Sequence, residues 1–210
     1  MKVELLAYTH LVDHSPNPEA LIEKAARLCY NSKPGDEEKR KKFLTGLINS
    51  GHTSTIEHAS ATFKISEVSR ALTHELVRHR IGMSYSQRSQ RYCSEDGFGA
   101  VVPPTITNYL EEKFKDSLDT INGLYVEMVN AGVPKEDARY ILPNACYTQI
   151  IVTGNFTAWR HFLELRLSPR AQWEIRQLAH LILNELYKIA PVIFQDLKDK
   201  YDGTAESEQK

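Results

Sequence analysis

The chain has 210 residues and a mass of 24.0 kDa, enough for one core that needs no disulfide or metal to hold it. Hydrophobic residues make up 41% and charged residues 25%, with 26 Lys+Arg against 27 Asp+Glu, which excludes a fibrous or disordered chain and names no highly charged partner. Apolar runs such as Ile150 to Val152 fall far short of the ~20 residues that span a bilayer, and neither a signal-peptide pattern nor a cysteine framework is built around Cys29, Cys93 and Cys146, so a cytoplasmic protein with free thiols is expected.

In chain order, Val3 to Tyr8 reads as a strand, and Asn17-Pro18 opens a helix with apolar positions Leu21, Ala25, Leu28 and Cys29. Pro34-Gly35 stops it. A second helix over 36–49 sets Phe43, Leu44 and Leu47 against the run Glu37-Glu38-Lys39-Arg40-Lys41-Lys42, which reads as a solvated face. After a loop at Gly51-His52, residues 59–66 alternate, with Ala61, Phe63 and Ile65 on one side, as a half-buried strand does. From Glu67 the period turns helical through Ala71, Leu72, Leu76 and Val77. Arg78 to Tyr92 then has no hydrophobic period of either kind.

Pro103-Pro104 precedes a long helix near 105–131, with Phe114, Leu118, Ile121, Tyr125 and Met128 at helical spacing and Gly132 after it. Pro134 starts a short helix through Asp137 and Arg139. Cys146 to Thr153 is rich in β-branched and aromatic residues and reads as a strand ending at Gly154-Asn155. Asn155 can cap a helix holding Trp159, Phe162 and Leu163 up to Ser168-Pro169. One final helix repeats at Ile175, Leu178, Ala179, Ile182, Leu186 and Ile189. Without an internal repeat or a composition shift, a single domain over 1–202 and a disordered tail at 203–210 are expected.

Between Arg70 and Arg91 stand five arginines (Arg70, Arg78, Arg80, Arg88, Arg91), no lysine and one acid, Glu75. Guanidinium forks bind phosphate and carboxylate bidentately, so the stretch suits a phosphorylated ligand. A solvated basic loop and a nucleic-acid surface are the other two readings, the latter weakened by the shortness of the stretch. His74-Glu75-Leu76-Val77-Arg78-His79 nearly spells the zinc signature H-E-x-x-H, but its histidines are five apart. That puts them ~140° apart around a helix instead of ~40°, so no metal site is expected. His52 and His58 read as turn or core histidines. No Gly-x-Ser-x-Gly elbow, dinucleotide fingerprint or P-loop is present, and no cysteine has an activating context.

Arg78-His79-Arg80 followed by Ser89-Gln90-Arg91-Tyr92 resembles the signature of flavin-dependent thymidylate synthases, which methylate dUMP using FAD, methylenetetrahydrofolate and NADPH. Gly51-His52 through Glu57-His58 resembles the family's upstream histidine loop, and Ala138-Arg139 before Leu142-Pro143 its second arginine site. Asn155 through His161 to Arg166, with Ala171-Gln172-Trp173-Glu174, resembles its C-terminal block. The family places seven residues between triplet and serine, whereas Ile81 to Arg88 makes eight. The extra residue is placed near Gly82-Met83, where glycine absorbs a bulge.

The resemblance implies that Ser54, Arg78, His79, Arg80, Gln87, Asn155, Phe156, Thr157 and His161 bind FAD, Phe156 through its backbone, with Thr157 standing where an arginine is common. It assigns dUMP to Glu75, Leu76, Val77, Arg78, Gln87, Arg88, Ser89, Gln90, Arg91, Arg139 and Arg166, and gives Arg166 the catalytic role of polarising the uracil ring. It further implies an α+β fold, an antiparallel sheet flanked by helices, and a homotetramer with sites at subunit interfaces. Its partners are the small molecules dUMP, folate and NADPH, with neither nucleic acid nor membrane. A reduced flavin that delivers hydride replaces the cysteine nucleophile this chain lacks. From its position alone, without the resemblance, Arg166 reads first as a cation satisfying the last carbonyls of the 156–167 helix. A nucleic-acid-binding module and a flavin or nucleotide sensor without turnover stand as the alternatives to an enzyme.

Overall fold

The computed structural model describes residues 1–13 and 17–201, so the expected tail at 203–210 lies outside the described residues. The elements run β1 (Lys2–Tyr8), α1 (Pro18–Leu28), α2 (Glu37–Asn49), a 3₁₀ turn (Thr53–His58), β2 (Ser60–Ser69), α3 (Arg70–Leu76) and β3 (Met83–Gln87). They continue with α4 (Tyr109–Asn130), α5 (Lys135–Ala138), a 3₁₀ turn (Arg139–Ile141), β4 (Tyr147–Asn155), α6 (Phe156–Arg166), α7 (Trp173–Ile189) and α8 (Pro191–Tyr201). The strands form one antiparallel sheet in the order β1-β2-β4-β3, and the fold is α+β as expected.

Capping side chains decide where the helices begin. Asn17, Asp36, Ser69 and Asn155 each turn a side-chain oxygen onto an amide of the first turn of α1, α2, α3 and α6, satisfying donors that have no partner inside the helix.

The chain divides into two compact units. The first comprises Met1–Lys2, Ile65–Arg78 and Tyr85–Ile151, and the second Val3–Lys64, His79–Ser84 and Val152–Lys210. In the first, Ile65, Val68, Leu72, Leu76, Tyr125 and Ile150 are buried. In the second, α1, α2, α6, α7 and α8 pack together over Phe63, Phe156, Trp159, Phe162 and Phe194. Trp159 is fully buried, with its indole N–H donating to the Ala61 carbonyl at 3.1 Å. Thr62 and Thr153 join β2 to β4 through their hydroxyls at 2.9 Å. Buried Arg160 ties α6 to α8 through both Asp196 oxygens, at 2.8 and 2.6 Å.

Four expectations are corrected. The inward row of α1 is Pro18, Ile22 and Ala26 with Glu19 and Glu23, whereas Leu28 is 80% exposed and Cys29 lies at the surface. The glutamates can turn inward because both are satisfied. Glu19 accepts from the Val192 and Ile193 amides, and Glu23 from Arg27 at 2.7 Å, Arg40 at 2.9 Å and the Gly35 amide at 3.1 Å. Burial alone would raise the Glu23 pKa, but these donors hold it below the usual carboxylate range. From Glu67 the chain stays a strand to Ser69, with Glu67 at φ 56 beside Lys2, and the helix waits for the Ser69 cap. The aperiodic stretch contains β3, whose Met83, Tyr85 and Gln87 point inward between exposed serines. The last helix is two, broken where Ala190 leaves helical geometry and Pro191 starts α8.

Candidate functional site

The candidate residues fall into two groups. Those expected at dUMP lie in the first unit except Arg166, and those expected at FAD lie in the second except Arg78 and Gln87.

In the first unit, Arg88 is held as a fork. Its Nη1 donates to both Glu95 carboxylate oxygens at 2.8 Å and its Nη2 to the Ser94 carbonyl at 2.8 Å. Arg91 pairs with Glu136, and Arg139 donates to the Glu136 carbonyl at 3.1 Å. Gln87 Nε2 donates to the hydroxyls of Thr73 at 3.0 Å and Thr148 at 3.2 Å. Ser89 accepts from the Arg91 amide at 3.2 Å, and Gln90 is buried. Glu75 is half-buried near the end of α3, Val77 caps that helix and Arg78 beyond it is exposed. Leu76 belongs to the core, and its carbonyl accepts from Tyr85 Oη at 2.9 Å. Burial pushes the Tyr85 phenol up to about 12, so it remains a donor at neutral pH.

Glu95 gave no signal in the sequence, standing four residues past Arg91 in a loop; only the fold puts its buried carboxylate against Arg88. Cys146 lies in this unit too. Burial first, and then the Glu95 charge, push its thiol up to about 12, so it is inert as a nucleophile.

In the second unit, the start of α6 and the turn after Arg80 meet. Asn155 Oδ1 caps α6 through the Ala158 amide at 2.8 Å, and the Asn155 amide donates to the Gly82 carbonyl at 3.1 Å. Gly82 has φ +70, and a Cβ there would stand 2.9 Å from Asn155 Nδ2, so glycine is required on both counts. This is the position expected to absorb the extra residue. The Phe156 amide is committed to the Ala59 carbonyl at 2.8 Å, so the backbone of this residue fastens the start of α6 to the end of the 3₁₀ turn. Thr157 Oγ1 donates to the Thr53 carbonyl at 3.0 Å, which fastens the helix start to the 3₁₀ turn carrying Ser54.

Beside Ser54, the Thr55 hydroxyl is buried without a hydrogen-bond partner among the described residues, a cost that a bound polar ligand would remove. No sequence signal marked it. Arg80 is exposed and forms no ion pair among the described residues.

At the other end of α6, Arg166 Nε donates to His79 Nε2 at 2.9 Å. The His79 ring stands edge-on to His161 at 6.2 Å and to Phe162 at 5.2 Å. Burial first, then the Arg166 cation and His161, lower its pKa from 6.5 to about 4. A neutral imidazole is what accepting from Arg166 requires.

Between pH 6.5 and about 4 the unfolded chain takes a proton at His79 that the folded chain refuses. Stability from this group is whole above pH 6.5 and lost as pH falls through that window. His79→Gln keeps an acceptor for Arg166, and the melting temperature against pH is expected to flatten over the window. A curve identical to wild type would show that His79 does not carry the loss.

The family model for the thymidylate synthase complementing protein matches residues 10–192. A flavin-dependent thymidylate synthase of Geobacter sulfurreducens is 47% identical, the match covering 89% of this chain and 84% of that protein. Proteins of the same description from Clostridium tetani and Mycobacteroides abscessus are 42% and 40% identical, each over 97% of this chain and over 87% and 93% of their own lengths.

Proposed function

The chain belongs to the flavin-dependent thymidylate synthase family, and from that premise we propose how its own residues carry the reaction. It is a methyltransferase that converts dUMP to dTMP with methylenetetrahydrofolate as carbon donor, FAD as cofactor and NADPH as reductant. Bound FAD supplies the hydride that completes the methyl group.

The residues present fit FAD. The partnerless Thr55 hydroxyl beside Ser54 and the exposed Arg80 guanidinium offer a hydroxyl and a fork to a diphosphate, and the start of α6 behind Asn155 adds the positive end of a helix dipole. Thr157 supplies no arginine fork and serves by fastening α6 to the Thr53 turn. With them we assign Arg78, His79, Gln87, Phe156 and His161 to the cofactor.

For dUMP, Arg78, Arg91 and Arg139 supply positive charge, Glu95 keeps Arg88 in one plane, and Glu75, Leu76, Val77, Gln87, Ser89 and Gln90 complete the set. The observation that carries the mechanism is the Arg166–His79 pair. A neutral imidazole fixes the guanidinium plane without neutralising its charge, so Arg166 can stabilise negative charge on the uracil ring while carbon 5 attacks. The test is direct. FAD is expected to bind the purified protein and raise its melting temperature, and dUMP, methylenetetrahydrofolate and NADPH to yield dTMP. Calorimetry showing no FAD binding, with or without dUMP, would overturn the assignment.

We take residues 1–202 as one catalytic domain, since β2 and β4 each run through both units. We further assign a cytoplasmic homotetramer. The free thiols of Cys29, Cys93 and Cys146 suit a reducing compartment, and no helix among the described residues is long and apolar enough to cross a membrane. In α4 only Tyr125 is buried, while Tyr109, Leu110 and Leu124 are 66%, 48% and 47% exposed, an apolar surface that a second copy would cover. Light scattering is expected to give about four times the 24.0 kDa chain mass; a fully active monomer at assay concentration excludes the tetramer.

A further inference from the structure

The run Glu37 to Lys42 read as a solvated face, but α2 sorts it. Lys39, Lys42, Phe43, Gly46 and Ser50 line one hollow, whereas Glu37, Arg40 and Lys41 line a different cavity. These are helical spacings of three and four, so the first set is a single stripe, and it carries two cations and no acid.

That hollow, about 530 Å³, is floored by Tyr30, Phe43 and Leu47. A second hollow, about 500 Å³, is walled by Ser54, Thr55 and Glu57. The two share Tyr30, Leu47 and His52 and make one trough. It starts at Ser54, assigned above to FAD, crosses an aromatic floor and ends at the lysines. Tyr30 is 62% exposed. Lys42 is exposed with no carboxylate partner among the described residues, and the Lys39 ammonium, 74% exposed, rests on Asp36 at 3.0 Å. A Cβ at Gly46 would meet nothing within 4 Å, which leaves the floor open.

We infer that this trough holds the tail of the folate co-substrate, with the aminobenzoyl ring over Tyr30 and Phe43 and the glutamate carboxylates at Lys42 and Lys39. The inference rests on the reaction assigned above and places part of one substrate. The match is one of order and sign. A reduced folate presents an aromatic ring followed by one glutamate or a γ-linked chain of them, and each added glutamate adds a carboxylate. An aromatic floor followed by two exposed lysines, of which Lys42 has no carboxylate partner among the described residues, is complementary to that sequence of groups.

The experiment uses the FAD-loaded full chain and compares KM for methylenetetrahydrofolate carrying one glutamate with KM for the form carrying a γ-linked chain. In wild type at low salt the longer chain is expected to lower KM roughly fivefold, the scale of two exposed ion pairs. In Lys39→Ala/Lys42→Ala the two KM values converge with kcat unchanged. Tyr30→Ala raises both KM values alike, because the floor meets the ring that both forms carry. Calorimetric titration of the same two tail lengths, as tetrahydrofolates, reads the difference without turnover. The same KM ratio in wild type and in the double lysine variant would overturn the placement while leaving the reaction intact. No dTMP from wild type with either form would instead remove the reaction beneath it.

Discussion

Arg166→Ala is expected to fold and to bind FAD, yet to lose roughly 10²–10³-fold in turnover, the scale for removing one preorganised donor from developing charge. Arg166→Lys is expected to recover little of this. The guanidinium is gripped through Nε, which donates to His79 Nε2 at 2.9 Å, so its plane is fixed from behind. Lysine keeps the charge but loses that grip and the fork beyond it. If Arg166 merely satisfied the last carbonyls of α6, lysine would replace it well, and alanine would cost about 0.3–1 kcal/mol of stability. Melting temperature and single-turnover flavin oxidation on both variants separate the two roles. A lysine variant with normal turnover ends the catalytic assignment.

Trp159→Ala is expected to cost about 3–5 kcal/mol of stability and to lower the melting temperature by roughly 6–20 °C for a chain of this size. The indole is fully buried, with Phe63 at 5.2 Å and Phe162 at 5.7 Å, both edge-on. Gly154 makes room for it, since a Cβ there would come within 2.9 Å of the indole nitrogen. Removing the ring opens a cavity beneath α6 and leaves the Ala61 carbonyl without its 3.1 Å donor. Because α6 carries His161 and Arg166 and follows the Asn155 cap, FAD affinity is expected to fall with stability. Differential scanning calorimetry with and without FAD measures both; a shift below about 3 °C would show that the core does not depend on this ring.

Regular periods were the legible part of the fold. The alternation of Ala61, Phe63 and Ile65 found β2, and the Asn155 cap found the start of α6 to the residue. Misreadings came where polar side chains do structural work. In α1, Glu19 and Glu23 occupy inward positions because amides and arginines from distant segments satisfy them, and no local pattern announces those partners. In β3 the inward residues include Gln87, whose amide is satisfied by Thr73 and Thr148, so strand alternation exists without hydrophobic alternation. The candidate site was legible as motif and not as geometry. Arg78-His79-Arg80 could be named from the sequence, but that His79 is neutral and carries Arg166 depends on a contact 87 residues away.

The hydroxyl pair that joins β2 to β4 links Thr62 to Thr153 across 91 residues. The entropy of closing so long a loop grows only slowly with its length, but the pairing must wait for the distant segment to arrive, and non-local contacts slow a search. Helix α6 begins three residues after Thr153, so the element assigned to grip the cofactor follows directly on a strand held by this long-range pairing. A ligand that binds the folded chain and not the unfolded one adds to its stability by mass action. Loading the chain with flavin is therefore expected to stabilise the joined strands together with the site, by about 2.7 kcal/mol at a hundred times the dissociation constant.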